Sequence, residues 1–80
     1  MVKVREKKLG REGADGFAYL GQNRIEIDPR LPPKARLLTE VHELYHILFD
    51  DVSEPNARKA ERIGHFLWRE GYRKMPKRFR

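Results

Sequence analysis

PKARLLTEVHELYHILFD, residues 33–50, is where the pattern of this chain turns from strand to helix. At ~100° of rotation per residue, Leu37, Leu38, Val41, Leu44, Tyr45, Leu48 and Phe49 cover one broad apolar arc, and Arg36, Glu40 and Glu43 lie opposite it or at its edge. Pro33 suits the opening of this helix, because a first-turn residue has no intrahelical partner for the N–H that proline lacks. The spacing predicts an amphipathic helix from Lys34 to about Asp50. His42 falls inside the arc and His46 about 40° further round, at its margin, so both imidazoles face protein rather than bulk water.

His42-Glu43-Leu44-Tyr45-His46 is an HExxH segment. Residues four apart project from one helix face, so the two imidazoles can grip a single metal ion while Glu43 flanks it. One inward histidine is ordinarily a core residue; two at this spacing with a glutamate directly after the first point to a metal. The chain has no cysteine, which excludes disulfides and thiolate ligands and leaves histidine and carboxylate. A catalytic zinc ion on two histidines needs a third protein ligand and an open position for water. With Glu43 as general base, this is the chemistry of zinc-dependent hydrolysis.

The third ligand is sought downstream. Ser53 can cap a second helix with Pro55 in its first turn, running to about Gly71 or Tyr72. Arg58, Lys59, Arg62, Arg69, Glu70 and Arg73 collect on one side of it, and Ala57, Ala60, Ile63, Gly64, Leu67, Trp68 and Gly71 on the other. Glu61 breaks the segregation, about 20° from Trp68 and Tyr72, where an unpaired carboxylate is costly to bury. A dication on His42 and His46 would partner it; an ion pair with Arg24 or Arg36 is the plainer alternative. His65, one turn later, can replace Glu61 as ligand, hydrogen-bond an oxygen at the metal, or orient a ligand. Glu54 and the Asp50-Asp51 pair are assigned to the turn and cap, with Asp50 a remote candidate beside the ligands. His65, Tyr45, Tyr19 and Tyr72 stand unranked as oxyanion donors, Tyr45 being expected in the core.

The first third of the chain reads as sheet. Val2 and Val4 alternate with charge, Gly10 to Gly16 is a loop, Phe17 to Leu20 is a second strand, and Gly21-Gln22-Asn23-Arg24 is a turn before Ile25-Glu26-Ile27. The fold class expected is α+β: a small antiparallel sheet of about three strands packed on two helices, the first carrying HExxH. The 80 residues make a single domain, 1–80, with basic termini near 1–8 and 73–80 expected to be flexible. A chain this short buries little surface, so a bound ion would contribute to folding as well as chemistry. An extended peptide is expected to pair along the Ile25 to Ile27 edge.

Eighteen Lys and Arg against twelve Asp and Glu give a formal charge of +6, but much of the excess lies at the ends. Such ends read first as solvated tails. Lys77-Arg78-Phe79-Arg80 keeps open a second function, a closed zinc site that staples the helices while the basic termini contact nucleic acid or an acidic protein. A metal-free protein that inherited the motif is the third. With no apolar run able to serve as a signal peptide or to span a bilayer, a cytoplasmic protein without membrane contact is expected.

The Ile25-Glu26-Ile27-Asp28-Pro29 lead-in, the Thr39 to His46 helix and the Glu61 helix look like those of small gluzincin-type metallopeptidases. More narrowly, the chain resembles the short HExxH proteins often encoded by bacteriophages, and is more distantly similar to minigluzincins and to the ImmA/IrrE metallopeptidases. The resemblance covers roughly residues 17 to 72. It implies a minimal zincin-like domain, one zinc ion bound by His42, His46 and Glu61, Glu43 as general base, and a peptide or protein substrate.

Overall fold

Three short strands precede two helices in the computed structural model of the protein, which describes residues 2–10 and 13–71. They are β1 (Lys3–Glu6), β2 (Gly16–Tyr19), β3 (Arg24–Ile27), α1 (Pro33–Phe49) and α2 (Glu54–Arg69). The α+β class is as expected, with one correction: the sheet is mixed. Its order is β1-β3-β2, with β2 antiparallel to β3 and β1 parallel to it. The hairpin turn holds Gly21 and Asn23 at positive φ, 84° and 48°, which glycine and asparagine tolerate best. The segment from Lys7 to Asp15 carries the chain past the slot that β3 later fills. It is tied at both ends, Lys7 N–H donating to Ile27 O (3.0 Å) and Asp28 N–H to Asp15 O (2.9 Å). The N-terminal basic stretch, expected both as a strand and as a tail, is a strand over Lys3–Glu6. Tyr72 and the C-terminal basic cluster lie outside the described residues.

This order places β3 in the centre. Ile25 and Ile27 are fully buried, and the Ile25 to Ile27 segment offers no open edge to a peptide; the free edge nearer the helices belongs to β2. Leu9 joins the core from the loop after β1, drawn in because the buried Asp28 carboxylate accepts its N–H at 3.0 Å. The same carboxylate takes the Arg30 N–H and guanidinium, which hold the carboxyl well below the usual range. On the opposite sheet face Tyr19 donates to Glu26 (2.6 Å), with the Arg24 guanidinium 4.2 Å over the Tyr19 ring.

Helix α1 packs on β2, on β3 and on α2, whereas α2, among the described elements, packs on α1 alone. The HExxH helix is therefore the middle layer. Small residues let α2 approach it: Ala57 is fully buried, and a Cβ added at Gly64 would stand 2.8 Å from Leu38 Cδ2 and 3.5 Å from Val41 Cγ2. The apolar arcs are narrower than expected, for Leu48, Phe49 and Ile63 are each more than half exposed. Four-residue strands and a single neighbouring helix are too little to cover the last turn of α1. No helix among the described residues is long and apolar enough to cross a membrane.

Gly64→Val would force Leu38 away from α2 and should destabilise the protein by about 1–3 kcal/mol, the usual range for overpacking a tight contact. Urea unfolding of the variant beside wild type measures this.

Candidate metal centre

A short turn brings the two helices face to face. Asp50 ends α1 in the left-handed region (φ 50°), and Asp51 then builds the reversal. Its carboxylate accepts from Tyr45 Oη (2.7 Å), Ser53 N–H (2.8 Å) and Asn56 Nδ2 (3.1 Å), all of which hold the carboxyl below its ordinary range. Ser53 Oγ accepts Asn56 N–H at 3.4 Å and Pro55 occupies the first turn, as the cap reading expects. Glu54 thereby becomes the first residue of α2, close to the last two turns of α1.

Glu54 opens α2, as the turn-and-cap assignment expects, and also faces the two histidines. Its carboxylate does more than start the helix: Oε1 lies 2.8 Å from His46 Nε2 and Oε2 lies 3.0 Å from His42 Nε2. His42, His46 and Glu54 form a group whose donor atoms all lie within 4.8 Å of one another. Glu61 stands on the other side of His42, with Oε1 3.6 Å from Nδ1, beyond hydrogen-bond range but within that of an ion pair. Arg36, offered as an alternative partner for Glu61, is engaged by Glu6 and Glu40, and Arg24 by Tyr19. His65 is exposed and lines neither of the clefts described below.

Each histidine thus has an oxygen near Nδ1, Glu61 for His42 and the Asp51 carbonyl for His46, while the two Nε2 atoms converge on Glu54. A proton kept on Nδ1 leaves a lone pair on Nε2, which is how neighbouring acceptors prepare imidazoles for a metal. Two imidazole nitrogens and one carboxylate fit zinc, and the crowding of an acid onto two ring nitrogens is an arrangement that a cation would hold. Burial favours neutral His46, but the Asp51 carbonyl and Glu54 outweigh it and raise its pKa. Burial likewise raises Glu54, yet the two histidines prevail and lower it.

Glu43 sits beside this group, half-buried. Burial pushes its carboxyl up, opposed by His42 and His46 and reinforced by Glu54 and Glu61. Two clefts meet over it. One, of about 360 Å³, is walled by Phe17, Ala18, Leu20 and Val52; the other, of about 400 Å³, by Asp15, Thr39, Arg58 and Glu61. Gly16, His42 and Glu43 line both. Gly16 is small by necessity, since a Cβ there would lie 2.8 Å from Thr39 Cγ2 and 3.2 Å from Glu43 Cγ. Of the hydroxyls considered as oxyanion donors, Tyr19 donates to Glu26 and Tyr45 to Asp51.

Residues 1–76 match the family model of the IrrE N-terminal-like domain, peptidase M78. That is the kinship which the motif suggested as the more distant one. No curated protein and no solved structure matches the chain.

The Asp51 turn should be sensitive to acid. A carboxyl whose folded pKa is depressed contributes stability above its unfolded value, near 4, and loses it as pH falls through the lower folded value. Thermal midpoints of metal-free wild type and Asp51→Asn, measured from pH 7 downward, should differ most at neutral pH and begin to converge only as pH falls below about 4.

Proposed function

We propose, from the premise that the chain belongs to the peptidase M78 (IrrE N-terminal-like) family, that it is a zinc-dependent peptidase in which His42, His46 and Glu54 hold the metal and Glu43 is the general base. The carrying observation is the convergence of His42 Nε2, His46 Nε2 and the Glu54 carboxylate beside a half-buried Glu43 at the meeting of two clefts. The closer kinship with minigluzincins and phage-encoded HExxH proteins belongs to the same proposal.

Zinc held there supplies Lewis acidity and an activated water. Peptide hydrolysis adds water across the C–N bond: its oxygen joins the carbonyl carbon, and the amine leaves with a proton. Glu43 takes the proton from the water and delivers it to the leaving nitrogen, a task helped by a carboxyl pKa raised by burial. Glu61 and the Asp51 carbonyl hold the histidine rings by their Nδ1 sides. In this reading Glu54 is the third ligand and Glu61 positions His42, where the sequence alone suggests Glu61 as the ligand and assigns Glu54 to the turn and cap. The substrate backbone lies along the free edge of β2, whose residues Gly16 to Ala18 line the cleft.

Metal analysis and chelator competition test these assignments together. Wild type should bind one zinc ion; His42→Ala and Glu54→Ala should lose it. Glu61→Gln should keep the stoichiometry with affinity lowered about 10- to 100-fold. Glu43→Gln should retain zinc and lose turnover. Loss of zinc in Glu61→Ala with retention in Glu54→Ala would reverse the two carboxylates, and full function in Glu43→Gln would favour a structural zinc site in a binding module.

A further inference from the structure

Helix α1 covers one face of the sheet, and among the described elements nothing packs on the other. Residues paired across a ladder share a face, so the register sorts the side chains. Glu6 pairs with Arg36 of α1, and Gly16 abuts Thr39 and Glu43, which sets the row Glu6, Ile27, Gly16 on the helix side. The rows Arg5, Glu26, Phe17 and Lys3, Arg24, Tyr19 therefore lie on the outer face. Phe17, 37% exposed, borders the cleft through the rim of β2, while its ring stands on the far side of the sheet from Glu43.

This face is basic and aromatic at once. Lys3 and Arg5 are exposed and, among the described residues, form no ion pair; Lys7 continues the same alternation just beyond the strand. The Arg24 guanidinium lies 4.2 Å over the Tyr19 ring. Glu26, the acid between these rows, is 7% exposed and accepts the Tyr19 hydroxyl at 2.6 Å, so Lys3, Arg5, Lys7 and Arg24 leave the face positive. Same-face side chains on a strand stand about 7 Å apart, close to the interval between successive phosphates of an extended single strand. β1 and β2 lie two strand spacings apart, about 10 Å, so cations on β1 can follow a phosphate backbone while its bases reach Phe17 and the Arg24–Tyr19 pair. Three strands side by side are too broad for the groove of a duplex, and the rings need bases whose faces are open.

We propose that the outer face of the sheet binds single-stranded nucleic acid, with Lys3, Arg5 and Lys7 on the phosphates and with Phe17 and the Arg24–Tyr19 pair stacking on bases. Contacts of these two kinds carry little base sequence, so binding tolerates many sequences. The surface lies behind the sheet from the two histidines. It neither requires the zinc-peptidase reading nor competes with it.

Fluorescence anisotropy of a labelled twelve-residue oligothymidylate, read with and without zinc, tests the face independently of hydrolysis. Wild type should bind in both conditions, with an affinity that falls as salt rises. Phe17→Leu, which keeps an apolar side chain but removes the ring, should weaken binding about fivefold or more, and Phe17→Tyr should retain it. The double variant Lys3→Gln, Arg5→Gln should keep its unfolding midpoint and lower the slope of log affinity against log salt by about 0.7 per charge removed. Neutralising the tail by Lys77→Gln, Arg78→Gln and Arg80→Gln should leave the dependence on Phe17 intact. Should Phe17→Leu fail to fold, the double variant and a comparison with the matching duplex decide. No binding by wild type, binding indifferent to Phe17→Leu or to the double variant, or a duplex bound as tightly as the single strand overturns the proposal. So does displacement of the oligonucleotide by polyglutamate of equal charge as readily as by unlabelled oligothymidylate, which would mark the face as a site for acidic protein.

Discussion

Helix α1 must be packed from two directions at once, by the sheet on one side and by α2 on another, and the position of every candidate site residue follows from that requirement. A helix held on one side alone would leave the HExxH face at a surface. Here β2 closes on Glu43 through the gap at Gly16, and α2 closes on Leu38 and Val41 through Gly64. The two glycines matter for opposite partners of the same helix. Neither adopts a positive φ, so each serves by absence of bulk rather than by backbone freedom. Between them His46 is left 6% exposed and Glu43 half-buried, conditions in which a charge acts at short range rather than being screened.

The link from fold to chemistry runs through Asp51. Its carboxylate gathers Tyr45, Ser53 and Asn56 into the turn, and its carbonyl receives His46 Nδ1. The reversal that starts α2 and the orientation of a candidate ligand are thus one piece of structure. Because Glu54 is the first residue after that turn, any lengthening between Asp50 and Ser53 would carry its carboxylate away from the two Nε2 atoms while leaving both helices intact.

Much of this was legible in local pattern. Period 3.6 located both helices, Ser53 and Pro55 marked the start of the second, and alternation around Ile25 to Ile27 marked a strand with one face of buried isoleucine. What escaped was whatever depended on a distant partner. Nothing local tells that Lys3–Glu6 lies parallel to β3 rather than antiparallel, or that Leu9 in a charged loop is pulled into the core by Asp28. The carboxylates show the limit most clearly. Glu61 drew notice because it interrupts an apolar face, whereas Glu54 sits at a helix start, where acids are ordinary for reasons of cap and dipole. The available signal was geometric: an acid in the first turn of a helix that follows the HExxH helix after only four residues cannot lie far from its last turns.

The position of Glu54 also joins stability to function. Among the described residues Leu9, Ile25, Ile27 and Ala57 make up the fully buried apolar core, and only Ala57 of these comes from α2. Among the described elements α2 leans on α1 alone, so its docking has little apolar surface behind it. A cation shared between His42 and His46 of one helix and Glu54 of the other would tie the two together at the end where Leu48, Phe49 and Val52 give least cover. Binding to the folded state alone stabilises it by about 2.7 kcal/mol at a ligand concentration one hundred times Kd, a large fraction of what a domain of this size possesses. An ion shared in this way would therefore hold the helix that carries Glu54, and the site and the small core behind it would stand or fall together.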